Sequence, residues 1–305
     1  MVSRVRFLLL LLLAVALAGL IVWAGLVLRY SPIVDPSLRL LLSAAWFAGG
    51  IAVLALYARR RWRAYAVMAI LAGFGTVAVE WSLLAPSNER DWQRDVIALP
   101  SATFAGDFVT IRNIRNIDYR SETDFDVRYD DKTFDMKALD SVDLVAVYWM
   151  GPAIAHVMLS FGFAGRDFIA ISIEARKERT EAYSAANGFF RQYELIYVVA
   201  DERDVLRLRT NYRKDPPEEV YLYRLAADPE AARRVFVDYM RAINELEHHP
   251  AWYNSATSNC TSNIWLHAAV NPGRLPFSWK ILLSGFVPEY LYEMNRLVPD
   301  RKSVV

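Results

Sequence analysis

The chain has 305 residues, with 35 Lys and Arg against 34 Asp and Glu, and 54% of it is hydrophobic. Eight of the basic and two of the acidic residues precede Ala85, so the remainder is acidic on balance and lacks the basic signature of a nucleic-acid binder. A single cysteine excludes a disulfide within the chain.

Three apolar stretches come first. Phe7–Leu28 and Leu40–Tyr57 carry no charge, and Ala64–Leu84 carries only Glu80. A helix crossing a hydrocarbon core of about 30 Å takes about 20 apolar residues, so each stretch is long enough to span. The first is too long for a signal peptide's apolar run and leads into two more spans, so it reads as an anchor. Arg4 and Arg6 precede the first span, and Arg59, Arg60, Arg61 and Arg63 join the second to the third. Cytoplasmic loops hold the excess of Lys and Arg, so the N-terminus is expected inside and the chain after Leu84 outside. In a two-membrane bacterium this is a multi-pass inner-membrane protein with a periplasmic domain. Glu80 lies beside Trp81 near the outer end of its span and reads as a snorkelling side chain. The expected organisation is an anchor over 1–84, a linker over 85–100 and a soluble domain over 101–305.

In that domain, "AIAHVMLSFGF", "AGRD" and "FIAISIEAR" read as a β-hairpin with a Gly-containing loop. Side chains alternate, so Val157, Leu159, Phe161 and Phe163 share one face and His156, Met158 and Ser160 the other. In the second strand Ile169, Ile171 and Ile173 form the bulky face, opposite Ala170, Ser172 and Glu174. The bulky stripes must coincide, because a one-residue slip turns one of them outward. That register places His156 and Glu174 near each other on the smaller-residue face. A central antiparallel sheet is expected over 143–149, 155–163, 168–174, 193–200 and 219–225.

Cys260 lies in "SATSNCTSNIW", where Ser, Thr and Asn precede an apolar run as at a helix start. A thiol in a helix's first turn feels the positive end, which favours the thiolate. An inert buried cysteine is the alternative. Of the four histidines, His267 lies seven residues after Cys260, about 10 Å along a helix axis and too far for a direct hydrogen bond. His248 and His249 close a helix before Pro250. A helix packed on the smaller-residue face would bring Cys260 to His156, with Glu174 orienting the imidazole.

The segments "DYRSETDFDVRY", "DLVAVYWMGPAIAHVMLSFGF", "ISIEARKE", "FFRQYELIYVVADERDVLRLRTNY" and "WYNSATSNCTSNI" together resemble the Lnb N-terminal periplasmic domain family, over about Asp91 to Pro288. That family is named for a lipoprotein N-acyltransferase and resembles the circularly permuted NlpC/P60 papain-like group, in which His precedes Cys. Together with the three spans read above, the resemblance implies an α+β architecture: three N-terminal transmembrane helices, then a papain-like domain with a central antiparallel sheet. It implies Cys260 as nucleophile, His156 as base and Glu174 as third polar residue, with Tyr148, Tyr253 and Asn259 as substrate-binding residues. The implied chemistry is acyl transfer from a membrane lipid or lipoprotein ester through a Cys thioester. The named acyltransferase also has membrane segments after its periplasmic domain, whereas here the apolar helices stand in front. The longest uncharged run in "WKILLSGFVPEYLYEMNRL" is too short to span.

Two other readings use the same residues: a cell-wall Cys peptidase or amidase, and a non-catalytic membrane scaffold. No cofactor is expected. The acidic residues of "YDDKTFD" and "DERD" have no metal-ligand pattern, and no Gly-rich phosphate loop suggests a nucleotide.

Overall fold

The computed structural model describes residues 2–299. They form two compact units: one holds the chain through Pro86 together with Ser184–Gln192, the other Ser87–Tyr183 and the chain from Tyr193 onward.

The first unit contains α1 (Val2–Tyr30), α2 (Arg39–Tyr57) and α3 (Arg63–Leu83), each long and apolar enough to cross a membrane. Small residues let these helices approach closely. A Cβ on Gly25 would stand 2.4 Å from the Phe47 ring, and one on Gly73 would stand 2.8 Å from Trp46. Side chains that carry polar groups spend them on neighbouring helices: Trp46 Nε1 donates to the Ile21 carbonyl at 2.8 Å and Tyr57 Oη to that of Leu10 at 2.9 Å. The Ser184–Gln192 segment, with the short α4 (Ala185–Gly188), belongs to this unit. Phe190 stacks on Tyr30, Arg191 lies 3.9 Å over the Trp81 ring, and Arg39 donates to Gln192.

The second unit is built on a sheet. Its strands are β1 (Ser101–Ala105), β2 (Phe108–Arg115), β5 (Tyr129–Asp135), β6 (Leu139–Tyr148), β7 (Ala155–Phe163), β8 (Asp167–Arg176), β9 (Glu194–Asp201) and β10 (Glu219–Arg224). β3 (Asp118–Tyr119) and β4 (Phe125–Asp126) make a separate small pair. The order is β1-β2-β9-β8-β7-β6-β10, with β5 also paired to β2. All contacts are antiparallel except the parallel one of β2 with β9. The five expected strands are present, and β1, β2 and β5 extend the sheet beyond them.

Both faces of the centre are covered, which explains why β7 and β9 are apolar almost throughout rather than alternating. On the first face Val157, Leu159, Phe161, Ile171 and Ile173 pack against α6 (Pro229–His248), which buries Phe236, Tyr239, Met240 and Ile243 at helical spacing. Each of these contributes on the order of 2 kcal/mol. α6 starts cleanly because Asp228 accepts from the Ala231 N–H and Pro229 takes a position needing no N–H donor. On the second face Val145, Val147, Met158, Ala170, Ile196 and Val198 meet Trp92, Val96 and Val205, the last from α5 (Glu202–Arg207). The 87–100 stretch, expected as a linker, therefore covers a sheet face. Trp92 is 4% exposed and bridges to Glu178, so burial of its indole fixes the segment.

Candidate active site

The start of α7 (Cys260–Ala268) places the thiol. Asn259 Oδ1 accepts from the Ser262 N–H at 2.9 Å, and Ser262 Oγ accepts from the Asn259 N–H at 3.0 Å, a reciprocal capping box. Cys260 is thus the first residue of the helix. Its sulfur is approached by the N–H groups of Val157, Thr261 and Cys260 itself, all of which favour the thiolate. Burial is the larger effect and pushes the thiol pKa up. The thiolate that a helix start was expected to favour is therefore opposed by desolvation, which outweighs the neighbouring N–H groups.

α7 packs against β7 and β8, and Cys260 joins the core cluster of the bulky first face, with Val157. The smaller-residue face expected to receive it carries His156 instead. The β7–β8 ladder runs from Phe163↔Asp167 to Leu159↔Ile171 and stops there. Beyond the last rung, the Val157 N–H is directed at the Cys260 sulfur. Among the described residues no hydrogen bond joins the Cys260 sulfur to the His156 imidazole directly.

On the second face a polar chain is assembled. His156 Nε2 lies 2.6 Å from Ser172 Oγ, which donates to Glu174 Oε1 at 2.7 Å. His156 Nε2 is 3.7 Å from that carboxylate, so the serine stands between them. Arg209 Nη2 reaches Glu174 Oε1 at 3.3 Å, and Arg209 Nη1 reaches Glu218 Oε2 at 3.4 Å. Arg209 comes from a single π-helical turn, Leu208–Tyr212, an irregularity that re-aims side chains.

Protonation follows from these contacts. Burial, then Arg209 and Arg213, pushes the His156 pKa down to about 3 against the pull of Glu174. Burial would lift the Glu174 carboxyl, yet the imidazole, Arg209, Arg115 and the Ser172 hydroxyl more than offset it and hold it well below the carboxylate range. Because the imidazole is itself neutral at pH 7, the guanidiniums are the cations that keep Glu174 ionised. An ionised carboxylate only accepts, so Ser172 gives it its proton and takes a hydrogen bond from His156 Nε2–H. Nδ1 is then the unprotonated nitrogen, free to act as a base.

The other expected site residues are distributed around this centre. Tyr148, at the end of β6, donates to the Gly285 carbonyl at 2.7 Å, and burial pushes its pKa up to about 12. Tyr253 is buried, its hydroxyl lies 3.5 Å from that of Tyr183, and burial pushes its pKa up. Asn259 spends its amide locally: Oδ1 takes the Ser262 N–H and Thr261 Oγ1, and Nδ2 donates to Ser255 O. It positions Cys260 by holding the helix start. His267 is bound between Tyr197 Oη and Asp238 Oδ2, each at 2.7 Å, and His249 pairs with Glu245 at the surface.

Two residues of the site were missed in the sequence. Ser172 shares a strand face with Glu174 at i and i+2, which was readable. Arg209 arrives from a distant turn and gave no local signal. Among the described residues no group of three or more His, Cys, Asp and Glu side chains could hold a metal ion.

The profile of the Lnb N-terminal periplasmic domain family matches residues 125–285, a span that includes His156, Ser172, Glu174, Arg209 and Cys260. No curated protein matches the chain, and no solved structure does. The match covers more than half of the sequence, and the chain belongs to the Lnb N-terminal periplasmic domain family.

Proposed function

We propose that this protein is a membrane-anchored thiol acyltransferase acting on lipid or lipoprotein acyl esters, with its catalytic domain in the periplasm. The observation that carries the reading is the Glu174–Ser172–His156 chain, which orients a neutral imidazole on β7, the strand against which α7 with Cys260 at its start is packed. The order of His before Cys also fits a permuted NlpC/P60-like arrangement.

In the first half-reaction the Cys260 sulfur attacks the ester carbonyl carbon as His156 Nδ1 takes the thiol proton. The C–S bond forms, and the carbonyl π electrons move to oxygen. The Cys260 and Thr261 N–H groups at the α7 start hold that oxyanion; a donor of this kind is worth about 3–4 kcal/mol in such sites. Collapse breaks the ester C–O bond, and the imidazolium returns its proton to the departing alkoxide. A thioester remains. In the second half an amine, or a hydroxyl, attacks the thioester while His156 accepts its proton, and the thiol is regenerated. Substrate binding must bring the sulfur and Nδ1 together and raise the proton affinity of the imidazole above its resting pKa of about 3, since a general base works best with a pKa near the operating pH and catalytic hydrogen bonds often tighten only in the complex.

Mass spectrometry of the full chain purified with membrane lipid tests this. An acyl adduct on Cys260 is expected, absent in Cys260→Ser and lost in His156→Ala at neutral pH. An adduct unchanged in His156→Ala would assign the base elsewhere. No adduct, together with cleavage of muropeptides, would make the protein a cell-wall peptidase or amidase. Neither product would leave a scaffold.

A further inference from the structure

A cavity of about 350 Å³ lies in the second unit between the bulky sheet face, α6, α7 and the later chain up to α9 (Val287–Glu293). Its walls are largely apolar and include Leu144, Leu159, Val235, Ile264 and Leu291. Two wall residues adjoin the site. Val157 follows His156 and directs its N–H at the Cys260 sulfur, and Thr261 follows Cys260. The volume falls within the roughly 300–1,000 Å³ of small-molecule sites. Three arginines, Arg234, Arg274 and Arg296, also line it; their neighbours are the neutral Asn271 side chain, the Trp265 ring and the Gly273 carbonyl, with no carboxylate ion pair among the described residues, so their charge suits phosphate or ester oxygens.

The segment beside it is unusual for a water-facing surface. Phe277, Trp279, Leu282 and Leu283 are all exposed, while Ile281 of the same segment is buried in the cavity wall. α8 (Trp279–Leu282) carries two of the four. Trp and Phe next to Arg274 and Lys280 are the composition of a membrane interface. The apolar helices of the same chain end at Leu83, four residues before this unit begins at Ser87, so the unit is tethered to whatever bilayer they cross.

We propose that this cavity takes one acyl chain of a membrane phospholipid, entering past Phe277–Leu283, with the arginines on its headgroup side. The proposal rests on the acyl-transfer reading and names where the transferred chain lies. It is tested with full-length Cys260→Ala protein in phosphatidylethanolamine and phosphatidylglycerol nanodiscs, doped with a phosphatidylglycerol whose acyl chain ends in a diazirine. After illumination, labelled peptides containing Val235, Ile264 or Leu291 are expected. Phe277→Asp and Trp279→Asp alter exposed side chains, and should reduce that labelling severalfold while the unfolding temperature stays near wild type. Labelling confined to α1, α2 and α3 overturns the proposal, as does cavity labelling unchanged by both lip substitutions. Cavity labelling without any thioester on the wild-type protein would sustain the lipid site while removing the acyl-transfer chemistry.

Discussion

The imidazole of His156 is only 12% exposed at its side chain and is kept neutral, which gives the site a defined response to acid. The folded group protonates only near pH 3, whereas an unfolded histidine does so near 6.5. Between those values the unfolded chain binds more protons, so stability rises with pH and is lost on acidification. One such proton is worth roughly 1.4 kcal/mol per pH unit at the steepest. Glu174, held below its ordinary value, acts in the same direction but only below about pH 4.5. The His156 contribution to stability is therefore expected to fall between pH 6.5 and 5, with His267, also lowered by burial, adding to the loss and Glu194, pushed up to about 7 by burial, opposing it. The stability difference between wild type and His156→Gln, followed by thermal unfolding, should therefore change across that interval. A difference that stays constant from pH 6.5 to 5 would show that the imidazole is not held neutral.

At the scale of one element, α7 is short, and its start rests on Asn259. Asn259→Ala removes the side-chain half of the capping box, the acceptor of the Ser262 N–H, while the backbone N–H of residue 259 can still reach Ser262 Oγ, and it is expected to cost about 1 kcal/mol, seen as a lower unfolding temperature. Asn259→Asp keeps the acceptor and should largely preserve stability. Its added charge beside the thiol should raise the Cys260 pKa further and slow alkylation by iodoacetamide. Equal alkylation rates in the two proteins would mean that the capping side chain does not influence the sulfur. The helix start was legible because Asn before an apolar run solves a local problem, the orphan N–H groups. The face on which the helix lands was not legible. Alternation along β7 and β8 assigns His156 and Glu174 to one side, but the burial of both faces allows a helix on either.

For the whole molecule, three apolar helices and membership of a periplasmic domain family make this a membrane protein with a periplasmic domain. The arginine asymmetry predicts an orientation. Reporter fusions after Arg63 are expected to read cytoplasmic and fusions after Pro100 periplasmic, by alkaline phosphatase and fluorescent-protein activity. A cytoplasmic reading at Pro100 would place the thiol in a reducing compartment and remove the periplasmic assignment.

What the amino-acid sequence determined by itself is what local chemistry dictates. Runs such as Phe7–Leu28 read as spans because hydrocarbon tolerates no unpaired backbone, and the 155–163 and 167–176 strands followed from period-two alternation and a Gly turn. The start of α7 at Cys260 followed from its cap. Tertiary structure alone decided the rest. Trp92 falls in the stretch that reads as a linker in sequence, yet the folded chain buries it against a sheet face, since only the assembled sheet offers that surface. Arg209 lies 35 residues beyond Glu174 and reaches it only through a π-helical turn. The state of Cys260 was decided the same way: a helix start favours the thiolate, but the desolvation that outweighs it exists only once α7 is packed on the sheet.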